Sequence, residues 1–375
     1  MNEAALIDFF KDLHAHPELG NEERRTTARL LEALKAGGVK VLDSALETGA
    51  IAVVGRGGPV VGLRCDIDAL PIREESGLPY ASVHPGVMHA CGHDFHAATM
   101  LGAALLLKRR EKELKGTVKI VFQPSEEITD GARRVVGTGL LNDAREFYGI
   151  HSYPWFPAGT LGVKEGPVMA AADRFAIRLR GRGSHGGQPH KGVDPIPAAA
   201  SIALSAQSIV SRGVNPFSAA VVSVTRLEAG NTWNVVPETV LLEGTTRSFD
   251  AGERAFIRSS LQRIAEHTAA AYGCECDFEY EAGPDAVLND AALCVPVREL
   301  ALEMGFAVDR QEDTMGAEDF SDYLKLCPGV FIRVGTGGFV AAHHPRFTAD
   351  PAALWPAAEF FAELAVRRCR ALAEE

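Results

Sequence analysis

Apolar residues recur at a spacing near 3.6 along residues 5–14 (ALIDFFKDLH) and 23–36 (ERRTTARLLEALKA), and Gly37-Gly38 follows as a stop, so both stretches predict helices. Short apolar runs then alternate with helical spacing. AIAVVG at 50–55, VVGLRCD at 60–66, TVKIVF at 117–122 and FYGIH at 147–151 read as strands, with helices predicted over 95–114 and 131–141. Strands that alternate with helices predict an α/β fold with a largely parallel sheet flanked by helices. In such sheets ligands gather at the carboxyl ends of the strands. Three polar clusters fall there: Asp66 with Asp68, the QPSEE run from Gln123 to Glu127, and His151.

The pattern changes near Gly166-Pro167. DRFAIRLRGR at 173–182 alternates like a strand with one exposed face, 195–212 predicts a long helix, 218–230 and 240–249 read as strands and 252–272 as a helix. That order suits a separate α+β domain. After about 280 the α/β texture returns, with a strand at 330–335, a turn at His343-His344-Pro345 and a final helix over 351–373. The expected organisation is a first domain made of 1–168 and 280–375, with a second, 169–279, inserted into it.

A chain of 375 residues, 46% hydrophobic and 23% charged, agrees with two globular domains. No apolar run approaches the ~20 residues that span a bilayer. The first residues, MNEAALIDFF, lack a basic stretch followed by a small-residue cleavage site, so a cytoplasmic protein with no membrane partner is expected. A formal charge of −11 argues against nucleic-acid binding, which needs basic patches. The seven cysteines form no CxxC pair or paired framework and are expected to be reduced.

The densest chemistry lies in MHACGHDFHAATMLGAALLL, Met88 to Leu107. Cys91 and His93 project to one side only if the backbone between them is extended or looped, since on a helix they would diverge by about 200°. Asp94 is placed to cap a helix beginning near Phe95, with Gly92 easing the turn. A thiolate and an imidazole at a rigid helix entrance make a divalent-metal pair; a nucleophilic cysteine with His93 or His89 as base is the competing reading. In QPSEE, Pro124 ends the strand, and the adjacent glutamates point different ways, so one carboxylate can bind metal while the other handles a water. A solvated loop is the alternative there, and a buried core histidine the alternative for His151.

HACGHD, QPSEE, GIHSYP, GSHGGQPHKGVDP, NVVPE, GTTRSF, MGAEDFS and AHHP, with LHAHPELGNEE and DIDALPIREESGLPYAS before them, fall in the order of the M20 metallopeptidase family, and the chain resembles its amidohydrolase branch, which cleaves N-acyl and indole-acetyl amino acids and hippurate. The resemblance implies two divalent ions, Zn²⁺ or Mn²⁺ first and Co²⁺ or Ni²⁺ as further candidates, held by Cys91, His93, Glu127, His151 and His343. It implies Glu126 as catalytic base, His185 as an oxyanion donor reaching the partner subunit of a homodimer or tetramer, and Asn234 and Arg247 as substrate-binding residues. The inserted domain is then a lid and dimerisation domain. Asp68 and Asp94 are placed behind the ligands, orienting them. Three positions depart from the family pattern: His344 stands where Asn or Ser is usual, Cys65 replaces a small residue and Ser184 a glycine. His89, His96 and Glu318 receive no role. The expected activity is hydrolysis of N-acyl amino acids; a dipeptidase or carboxypeptidase of the same family, a cysteine hydrolase using Cys91, and a non-catalytic metal-binding protein are the alternatives.

Overall fold

The alternation of strands and helices builds an open eight-stranded sheet. In the computed structural model, which describes residues 1–310 and 312–375, its centre is four parallel strands in the order Thr117–Gln123, Val60–Asp66, Ala144–Tyr153 and Gly329–Gly335. Three of them are buried at every residue, the condition under which a strand reads as a continuous apolar run. Ala50–Gly55 and Lys40–Val41 extend one edge antiparallel. Thr160–Gly162, antiparallel to Gly329–Gly335, and Ala307–Asp309 extend the other.

One face of this sheet carries Leu63, Ile120, Ile150 and Ile332 into an apolar core with Leu6 and Phe10 of helix Glu3–Ala15, Leu101 of helix His93–Arg109, and Phe360 and Phe361 of helix Leu354–Glu374. Helix His93–Arg109 is enclosed on nearly all sides, which is why its sequence lacks a polar stripe. It begins two residues before the expected start, because Gly92 at φ 86° supplies the turn, and ends at Arg109, with Glu111–Glu113 forming a separate 3-10 turn. The helix expected over 131–141 stops at Gly137. Helix Ala291–Glu303, capped by Asp290 and carrying Pro296, lies outside the sequence expectations.

The chain forms two compact units, one of residues 1–168, 288–312 and 319–375, the other of 169–287 and 313–318. The smaller unit has an antiparallel sheet in the order Ala220–Ala229, Thr239–Ser248, Ala171–Arg180, Glu275–Ala282. Phe175, Ile177 and Leu242 on one face pack on Ile202 and Leu261 of its two long helices. The opposite face is charged, with Arg174, Arg178 and Arg226 paired to Glu243 and Glu279. Strand Glu275–Ala282 pairs with Ala171–Arg180 along its length and so runs through position 279, where the insertion was expected to end; this unit continues to Val287.

Within the parallel sheet, Arg64 is completely buried. Its guanidinium donates to Gln123 Oε1 at 2.8 Å, Asp66 Oδ2 at 2.8 Å and Asp319 Oδ1 at 2.9 Å. Gln123 Nε2 and the Ala132 amide also donate to Asp319, and Tyr323 Oη donates to Gln123. Breaking one partner of a buried ion pair leaves an uncompensated charge. Arg64→Leu should therefore lower the unfolding free energy by about 3–5 kcal/mol, read from urea denaturation; a change under about 1 kcal/mol would show that Asp66 and Asp319 need no counter-charge.

Candidate metal centre

Gly92 is the point at which a helix entrance meets a strand end. Its φ of 86° lies in the left-handed region, and a Cβ there would stand 2.7 Å from Ser152 Oγ, so both conformation and space require glycine. Ser152 Oγ donates to the Cys91 carbonyl at 2.8 Å. The chain thus turns sharply between Cys91 and His93, the first residue of its helix, and Cys91 Sγ lies 3.5 Å from Nε2 of His151, one residue before Ser152. Gly92, not Asp94, is the N-cap; Asp94 sits in the first turn and accepts from the Phe95 amide.

The two glutamates follow strand Thr117–Gln123 through a strained turn. Ser125 has φ 58°, uncommon for a residue with a Cβ. The segment before the second helix holds it there: the Ser125 amide donates to Glu23 Oε1 and the Asn21 amide to Ser125 Oγ, both at 2.8 Å. Glu126 emerges buried and Glu127 half-buried. Asp68 clamps this loop to the helix entrance, accepting from the Glu127 amide at 3.0 Å and from His93 Nδ1 at 3.2 Å. His343, at φ 64°, is tied to Ala90 O by its amide and brings Nε2 within 3.3 Å of Glu127 Oε1.

Two sets of donor atoms result, Cys91–His93–His151 and Cys91–Glu127–His343, each within a 4.8 Å span and sharing the thiol; Glu126 joins His93 and Glu127 in a third. The hydrogen bonds decide which imidazole nitrogens are available. His93 Nδ1 lies 3.2 Å from Asp68 Oδ1 and His151 Nδ1 2.7 Å from Ser152 O, so in the neutral ring each Nε2 is the nitrogen left to face the cluster. Against burial, Asp66 and then Cys91 raise His93 well above 6.5, so a cation bound there displaces its second proton. His93 Nε2 and Glu127 Oε1 face each other at 3.8 Å; the first has no hydrogen-bond partner among the described residues, and the second has His343 Nε2 at 3.3 Å. A carboxylate and two imidazoles converging beside a thiol in a partly buried site are a fit for a cation. His96 is committed on both sides, Nδ1 to Asp66 at 2.5 Å and Nε2 to the Ser152 amide at 2.6 Å, and so acts as a brace between two strand ends.

Burial, then the charge of Glu127, pushes the Cys91 thiol up to about 12, while burial and then His96 hold His151 well below the usual histidine range. The thiol is therefore protonated at pH 7, without the lowered value of a cysteine nucleophile. Of its two expected bases, burial lowers His89 to about 4, while against burial Asp66 and then Cys91 raise His93 well above 6.5.

Other expectations resolve differently. Asp94 touches no ligand side chain; its Oδ2 accepts from His14 Nδ1 at 2.6 Å, and His14 Nε2 donates to Glu74 at 3.1 Å. His344 turns into its own loop, its Nδ1 accepting from the Arg346 amide. His89 is buried, and neither ring nitrogen has a partner among the described residues. Arg64, Asn21, Glu23, His14 and His96 were given no role from the sequence, and Asp66 only a place among the strand-end clusters, although several lie in LHAHPELGNEE and DIDALP, where charged residues interrupt apolar surroundings.

His185, Asn234 and Arg247 belong to the smaller unit. His185 pairs with Val235 in a two-stranded ribbon, and the Gly186 amide donates to Asn234 O at 2.8 Å, so two exposed residues 49 positions apart become neighbours (234 − 185). Arg247 is half-buried; its Nε donates to Met315 O at 3.1 Å and its Nη1 to Thr246 O at 3.0 Å.

A shared buried thiol, two groups of donors that could each hold a metal ion and an adjacent glutamate at the carboxyl edge of a parallel sheet fit a metal-dependent hydrolase. The chain belongs to Peptidase family M20/M25/M40, which residues 62–367 match. It is 46% identical to the N-acetylcysteine deacetylase of Bacillus subtilis over 364 residues, 96% of each chain. It is 38% identical over 287 residues to the N-acyl-L-amino acid amidohydrolase of Geobacillus stearothermophilus, 76% of this chain and 78% of that one. The crystal structure of Bacillus subtilis YXEP, described as a dinuclear metal binding peptidase from the M20 family, superposes with a TM-score of 0.89 at 42% identity, covering 98% of both chains.

Because Asp68 holds both His93 and the Glu127 backbone, Asp68→Asn should weaken divalent-metal affinity about 10–100-fold, measured by competition with a chromogenic chelator; unchanged affinity would assign Asp68 to folding alone. His14 supplies a pH dependence. Burial opposes its charge, but Asp94 and Glu74 outweigh burial and raise it from 6.5 to about 10. A raised folded value means that its stabilisation is full below pH 6.5, declines above it and is gone beyond about pH 10. Chemical denaturation across pH 7–10 should show a steeper loss of stability for the wild type than for His14→Gln, by on the order of a few kcal/mol. Parallel profiles would remove the ion pair from the account.

Proposed function

We propose that this chain hydrolyses the amide bond of N-acyl amino acids, releasing a carboxylate and a free amino acid, with N-acetyl and benzoyl conjugates as the leading substrates and N-acetyl-L-cysteine among them. The observation that carries the reading is the pair of ligand sets sharing Cys91 with Glu126 beside them. Cys91, His93 and His151 would hold one divalent ion, and Cys91, Glu127 and His343 the other. Zinc and manganese are the first candidates, and mixed S, N and O donors also accept cobalt or nickel. Bound there, the ions supply Lewis acidity, acidifying water and polarising the scissile carbonyl.

The chain's own groups do the remaining work. Glu126 takes the proton of the attacking water and delivers it to the leaving amine nitrogen. His185, contributed by the second subunit of a homodimer, donates to the developing oxyanion. Asn234 and Arg247 hold the substrate carboxylate, Arg247 with the part of its planar fork that internal bonds leave over. The smaller unit thereby acts as lid and dimerisation domain. The described cysteines are all free thiols, which supports a reducing, cytoplasmic setting; among the described residues no helix is long and apolar enough to cross a membrane.

Glu126→Gln should lower kcat by about 10²–10⁴-fold while leaving metal content unchanged, as read by elemental analysis of the purified protein. Chelation should abolish hydrolysis and added zinc or manganese restore it. Activity that survives chelation but not alkylation of Cys91 would return the reaction to a cysteine mechanism. Faster cleavage of dipeptides than of N-acetyl and benzoyl amino acids would make the enzyme a peptidase.

A further inference from the structure

Arg333 lies in the strand Gly329–Gly335, directly in register with His151 on the neighbouring parallel strand. Val330, Ile332 and Val334 enter the apolar core, so Arg333 leaves the opposite face of the sheet, the face on which His151 meets Cys91. Its guanidinium lies over the ring of Tyr153, 4.8 Å from the centroid. Tyr153 is two residues beyond His151, so the cation leans toward the carboxyl edge at which the ligands collect. On the other side its strand partner is Gly162, which has no side chain to occupy the space.

This cation is 5% exposed. Its Nη1 donates to the Glu312 carbonyl at 3.1 Å, and among the described residues no carboxylate pairs with it. Burial pushes Arg333 below the usual guanidinium range. Lys164 is likewise lowered, by burial and then by Arg310 and Arg333, so like charges gather here. A buried guanidinium without a counter-charge is costly to a fold, and a planar fork suits a carboxylate.

We propose that Arg333 is a specificity residue forming an anion subsite beside the metal centre, which takes a carboxylate of the substrate additional to the α-carboxylate assigned to Arg247. The extra charge sits either on an acidic amino-acid side chain or on a dicarboxylic acyl group. The inference rests on the amidohydrolase reading above.

The test compares isosteric pairs on metal-reconstituted, full-length protein: N-acetyl-L-glutamate against N-acetyl-L-glutamine for the side-chain source, and N-succinyl-L-alanine against N-succinamoyl-L-alanine for the acyl source. In at least one pair the charged member should have the higher kcat/KM by about tenfold or more, the scale of one charge-assisted bond in a partly dry site. Arg333→Gln should bring that ratio toward one, and Arg333→Lys should keep part of it. A merely structural Arg333 would lower both members together and leave the ratio intact, which would overturn the subsite, as would wild-type ratios near one in both pairs. Hydrolysis of the uncharged members without any charge preference sinks the subsite alone; hydrolysis of none of the four, nor of N-acetyl-L-cysteine, removes the amidohydrolase reading and the subsite with it. If Arg333→Gln does not fold, the wild-type ratios and the Arg333→Lys protein decide.

Discussion

The candidate metal centre depends on one close approach, that of Gly92 to Ser152. The helix His93–Arg109 can start directly behind Cys91 only because Gly92 adopts a left-handed conformation, and it can sit against the end of strand Ala144–Tyr153 only because no Cβ intervenes. That contact sets the thiol beside His151 and points His93 into the same space. The helix behind it is enclosed by the sheet and three other helices, so the candidate ligand pair is mounted on a fully packed element.

Around this contact, polar groups are sorted by what their second nitrogen or oxygen does. His93 and His151 each spend one nitrogen on a fixed acceptor and keep the other for the cluster. His96, three residues from His93, spends both and becomes a brace. The same residue type thus serves opposite purposes within one helical turn. Behind them Asp66, Arg64, Gln123 and Asp319 form a buried relay of charge-assisted bonds across strand ends. Such networks are stable only when each member is satisfied, which restricts how the strand ends can shift.

The N-terminal segment serves the site from a distance. Glu23 and Asn21 hold Ser125 in its left-handed turn, and His14 neutralises the buried Asp94. The strained turn gives the paired glutamates different surroundings: Glu126 is drawn inward and Glu127 is left half-buried, where His343 reaches it. Strain of this kind persists only where surrounding contacts over-determine it, and here those contacts come from about a hundred residues away in sequence.

Local pattern in the sequence was enough for the α/β class, the four central strands and the helices at both ends, because apolar periodicity reports which faces are buried. For the candidate metal cluster it offered only polar groups at strand ends with their alternatives open; the full set of Cys91, His93, Glu127, His151 and His343 came from the order of motifs shared with the M20 family. It misjudged the helix start at Phe95 and the capping role of Asp94, because a left-handed glycine one residue before His93 leaves no trace in periodicity. It left Arg64, His96 and Arg333 without roles, because a charged residue inside an apolar run looks alike whether it braces, binds or faces solvent. Those distinctions were decided by register: Asp66 opposite Gln123 and Arg333 opposite His151 are pairings between strands far apart in the chain. Non-local hydrogen bonding sets which side chains share a face and a partner, and no window of sequence contains both strands of such a pair.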